Sequence, residues 1–76
     1  MENFREYISI DPNIRFGKPC IKGTRISIAD ILGWLAGDAS FEEILEDFPE
    51  LKREHILAAL AFAAEREHVT KLLTAA

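Results

Sequence analysis

Cysteine occurs once, at Cys20, so no disulfide can close within the chain. His55 and His68 are the only histidines, which leaves no cysteine–histidine metal cluster and predicts no metal or cofactor. Cys20 also lacks a neighbouring histidine in sequence and a third group to orient one. It therefore reads as a buried, inert thiol rather than a nucleophile. No apolar run approaches the ~20 residues that cross a bilayer. The opening Met1-Glu2-Asn3-Phe4-Arg5-Glu6 has no cationic stretch followed by an apolar core, so it is not a secretory leader. Together these absences predict a cytoplasmic protein without membrane contact. Internal repeats, linkers and low-complexity stretches are also missing.

The chain has 76 residues and is read as one domain over 1–76. A chain this short buries only about 60% of the surface its unfolded form exposes. With no disulfide or metal to staple it, a homodimer or a protein partner is the expected source of extra burial.

Charge is missing selectively. No acid stands between Pro12 and Ala29, where Arg15, Lys18, Lys22 and Arg25 are basic. Asp30 to Ala76 carries ten acids against four bases, for a net charge of −4. That total argues against a general nucleic-acid coat but leaves room for one local cationic patch.

Hydrophobic patterning predicts a mainly α protein with a short β region over 7–27 and a three-helix bundle over 28–73. Tyr7-Ile8-Ser9-Ile10 alternates as a strand does, and Ile14-Arg15-Phe16 is expected to be a second extended piece. Cys20-Ile21 and Thr24-Arg25-Ile26 flank Lys22-Gly23 as a tight hairpin, with Gly23 supplying the positive φ. Ser27 caps a first helix, whose Ile28, Ile31, Leu32, Leu35 and Ala36 recur on one face before Gly37 stops it. Ser40-Phe41-Glu42-Glu43 is a capping box, and Pro49 ends that second helix. A third helix starts near Leu51-Lys52, with Ile56, Ala59, Leu60 and Ala63 along one face. The last two helices have helix-turn-helix proportions, in which the start of the final helix enters the major groove.

Lys52 and Arg53 occupy that start and are either base and phosphate readers or a solvated helix end, flanked as they are by Glu50 and Glu54. Arg15, Lys18, Lys22 and Arg25 form the stronger patch, with Lys22 at the hairpin tip suited to a phosphate. The fork of Arg25 suits a phosphate or a carboxylate such as Asp11 or Asp30. The run Gly17 to Thr24 is not a phosphate loop, because it reads Lys-Gly-Thr where that loop needs Gly-Lys followed by Ser or Thr. Glu42/Glu43 and Glu46/Asp47 read as solvation or as an acidic face for a basic partner. Trp34 lies off its helix's apolar stripe and is either a second core contact or an interface anchor. Val69, Leu72 and Leu73 are either a frayed turn or a partner-binding stripe. No constellation supports an enzyme.

The run Ile21-Lys22-Gly23-Thr24-Arg25-Ile26 is followed by Ile31-Leu32, Ser40-Phe41-Glu42-Glu43-Ile44-Leu45 and Phe48-Pro49-Glu50-Leu51. With Asp11-Pro12 and Gly17-Lys18-Pro19 upstream, the order and spacing closely resemble the prokaryotic domain-of-unknown-function family 433 over roughly residues 7 to 64. The resemblance implies a short strand region before a winged-helix-like three-helix bundle. It also implies an antitoxin of the VapB type, which would bind a nuclease-like toxin of PIN-type fold, with repression of its own operon on operator DNA as a further expectation. A protein-only interaction module is the alternative.

Overall fold

A computed structural model describes residues 3–74, with side chains described through residue 66. A 3₁₀ turn, Phe4–Tyr7, leads into β1 (Ile8–Ser9), and a second short turn, Arg15–Gly17, precedes β2 (Cys20–Ile21). Three helices follow: α1 (Ile28–Ala36), α2 (Phe41–Asp47) and α3 (Arg53–Thr74). The fold is mainly α, with a two-stranded antiparallel sheet at the N-terminal end. Among the described residues no helix is long and apolar enough to cross a membrane.

The hairpin takes a different form from the expected one. β2 pairs with β1 of the same chain, Ile8 opposite Ile21 and Ser9 opposite Cys20. Residues 24–26 form no strand of their own. They are tied back by Ile21 N–H to the Ile26 carbonyl at 2.9 Å and by a single bridge between Cys20 and Ser27. The intervening turn closes with Thr24 N–H on the Ile21 carbonyl at 3.0 Å. Gly23 stands at its third position with φ +81°, as a type II turn demands. A Cβ there would meet nothing within 4 Å, so torsion rather than space selects glycine.

Of residues 14–16 only Ile14 is extended, with φ −120° and ψ 115°. Arg15, Phe16 and Gly17 are all left-handed, with φ of 52°, 60° and 83°. Two of them carry a Cβ, at a cost of about 1–2 kcal/mol each.

Each helix start satisfies backbone N–H groups that the helix itself leaves without partners. Ser27 Oγ accepts the Asp30 N–H at 3.0 Å, and the Asp30 carboxylate accepts the Ser27 N–H at 3.1 Å. Ser40 and Glu43 repeat this box on α2, at 3.1 and 3.0 Å. On α3 the weak cap Lys52 is rescued by His55, whose Nδ1 accepts the Lys52 N–H at 2.9 Å. α1 does end before Gly37, but that glycine has φ −85°, and the left-handed residue is Asp38 at φ +73°. Phe48, held out of helical geometry before Pro49, ends α2.

The core is a cluster of Ile21, Ile28, Ile31, Ile44, Leu51, Ile56 and Ala59, which joins β2 to all three helices. Leu60, expected on the inner face of α3, is 40% exposed, and Ala58 is fully buried in its stead. The phase of the buried stripe follows from the extra contact α3 makes with the Phe4–Tyr7 turn, which buries Phe4. Ile56→Ala should therefore cost about 2–5 kcal/mol through cavity formation. Leu60→Ala should cost about 1 kcal/mol or less, as at surface sites. Urea unfolding of the two variants checks this contrast.

Candidate nucleic-acid and partner interface

The basic tract does not point one way. Arg15 turns inward: its guanidinium donates to the Arg25 carbonyl at 2.8 Å and to Asp30 Oδ2 at 3.0 Å. Asp30 in turn holds the Ser27 N–H, so Arg15 ties the loop before β2 to the start of α1. Its charge is thus matched within the chain by Asp30. Arg25 makes no ion pair among the described residues. Asp30 is taken by Arg15, and Asp11 accepts the Asn13 N–H at 2.8 Å. Arg25, Lys18 and Lys22 are all exposed.

A chain of contacts carries Lys22 toward α3. The Lys22 N–H donates to the Tyr7 carbonyl at 2.8 Å. The Tyr7 ring meets the His55 ring edge-on, with centroids 5.6 Å apart. His55 accepts the Lys52 N–H. The hairpin and the start of α3, thirty residues apart in sequence, are thus linked through Tyr7 and His55, and Lys22 and Lys52 are both exposed. Arg53 is exposed as well but lies over the Phe41 ring, 4.8 Å from its centroid. Glu50 and Glu54 stand exposed beside this pair. Tyr7 and His55 carried no signal in the sequence, since neither belongs to a motif and only folding brings them together.

Trp34 is half-buried and stacks on Phe48, with centroids 4.3 Å apart and planes 12° from parallel. The pair lines an open groove of about 430 Å³ between α1 and α2, with Glu43 and Asp47 also on its wall. Glu42, Glu46 and Asp47 are exposed along α2. The side chains of Val69, Leu72 and Leu73 lie outside the described residues. Cys20 is 1% exposed, and its Sγ donates to the Lys18 carbonyl at 3.3 Å, consistent with an inert thiol.

These features define a small helix-turn-helix-type protein with a β-paired arm. Residues 8–63 match the family described as "Protein of unknown function (DUF433)", and the chain belongs to that family. An uncharacterised protein, y4eO, of Sinorhizobium fredii is 36% identical over 59 residues, which are 78% of this chain and 27% of that one. The chain thus spans about a quarter of the length of that curated relative. A crystal structure of a DUF433 member from Anabaena variabilis superposes with a TM-score of 0.77. It covers 92% of this chain and 69% of that one at 24% identity, a likeness of fold.

Asp30 is the titrating member of the Arg15 knot. Partial burial pushes its carboxyl up, but the Ser27 N–H and the Arg15 guanidinium outweigh that and hold it below the ordinary 3.8. A depressed carboxylate stabilises the fold above its unfolded value and loses that contribution as pH falls through its folded value. Asp30→Asn should be less stable than wild type at pH 7, and the gap should shrink below about pH 4. Thermal unfolding of both proteins between pH 7 and pH 2.5 measures this.

Proposed function

We propose that the chain is the antitoxin of a toxin–antitoxin pair, a binding protein rather than an enzyme. Its exposed Lys22 and Lys52 contact operator phosphate, and the exposed acids of α2 meet a basic, PIN-type nuclease toxin. The observation that carries the DNA part is the Tyr7 bridge, which links the hairpin to the start of α3. A wing-like tip next to the start of a final helix is the placement helix-turn-helix proteins use on DNA. The family resemblance supports the toxin part, as does the segregation of acids onto α2.

A protein-only role is the second reading. Two of the six candidate DNA cations, Arg15 and Arg53, are engaged inside the chain, by Asp30 and Phe41. That reading keeps the toxin and drops the DNA.

A gel shift on the chain's own upstream DNA at low salt, with and without the adjacent gene product, separates the two. The DNA reading expects a shift that weakens steeply with salt. Lys22→Ala and Lys52→Ala should each lower the salt slope by about one. Arg15→Ala should instead reduce thermal stability. Absence of a shift in both arms removes the repressor role. Co-purification of the adjacent product, unaffected by nuclease treatment, would then leave the protein-only role standing.

A further inference from the structure

Phe16 is 98% exposed. It is also left-handed, with φ 60° and ψ 33°, a conformation that costs an aromatic residue free energy. Strain that gains no burial within the chain holds a large apolar ring in solvent. The turn is nonetheless fixed: Lys18 N–H donates to the Arg15 carbonyl at 3.2 Å, and Arg15 is locked to Arg25 and Asp30. Lys18, two residues on, is exposed, and so is Arg25, whose carbonyl Arg15 holds.

The complement lies at the other end of α1. The groove of about 430 Å³ has Trp34, Phe48 and Ile44 as its apolar surface and Glu43 and Asp47 as its acids. That volume falls in the range of pockets that accept an aromatic group. Gly33 lines it too, inside the helix, where glycine costs stability relative to alanine. A Cβ at Gly33 would meet nothing within 4 Å, so no neighbour in the chain requires its absence.

We propose that Phe16 of one molecule docks in the Trp34–Phe48 groove of a second copy, with Lys18 and Arg25 set against Glu43 and Asp47. The second copy is the occupant because plug and groove are complementary in both shape and charge yet cannot meet within one chain. Arg15 anchors the plug to Asp30 in the first turn of α1 and the ring stays 98% exposed, while the groove opens on Gly33 and on the cap Gly37, roughly 5 to 10 Å further along the axis. The contact pairs two different surfaces, so it either closes by reciprocal exchange or extends head to tail. This inference does not depend on the antitoxin reading.

Two variants test it. Phe16→Gly removes the plug and relieves the strain. Asp47→Lys places a cation in the groove, at a helix end where a cation is favoured. Both should keep or raise the melting temperature. Wild type should assemble as concentration rises toward about 100 μM, the range of a modest contact, as read by sedimentation velocity. Each variant alone should stay monomeric. Mixed 1:1, they should form a heterodimer and nothing larger, because one supplies the groove and the other the plug. A monomeric wild type, assembly retained by either variant, or a mixture that stays monomeric would each overturn the proposal.

Discussion

The structure depends on one carboxylate. Asp30 accepts the Ser27 N–H at the start of α1 and the Arg15 guanidinium from the loop before β2. Arg15 also holds the Arg25 carbonyl, so three separate segments converge on one ion pair. An exposed pair of this kind contributes little on its own. Here it is half-exposed and doubles as a helix cap, and what it fixes is geometry. It offsets the left-handed torsions at Arg15 and Phe16, which no regular hydrogen-bond ladder supports. Without it the loop would have no reason to leave the extended conformation its residues favour.

That geometry divides the cationic tract into parts with different surroundings. Arg15 is neutralised. Lys22 joins the first turn of α3 through Tyr7 and His55. Lys18 and Arg25 remain with the Phe16 turn. A run of four bases with no acid between them suggests a single anionic ligand. Folding instead neutralises one of them, Arg15, and leaves Lys18, Lys22 and Arg25 exposed. The acids of α2 lie in and beside the Trp34–Phe48 groove.

Size makes such surfaces consequential. A chain of 76 residues has few interior positions, and this one places isoleucine or leucine at most of them. The Trp34–Phe48 stack adds aromatic contact where the core thins toward the groove. Ile10 and Phe16 nevertheless remain in solvent at 61% and 98% exposure. In a protein this small, apolar surface left outside is a large share of what could be buried.

The sequence by itself determined what is local. Two capping boxes, the stop at Pro49, the positive φ at Gly23 and the spacing of Ile28, Ile31 and Ile44 are written within a few residues of where they act. Such signals work through short backbone hydrogen bonds and side-chain periodicity, so they hold whatever the rest of the chain does. Tertiary structure alone decided that Arg15 faces Asp30 fifteen residues away, that Tyr7 meets His55, and that Trp34 lies on Phe48. It also turned Leu60 outward, because the rotation of α3 is set by the turn and strand that cover it. These outcomes depend on which surfaces meet, and charge, aromaticity or helical spacing cannot encode that until the chain has closed on itself.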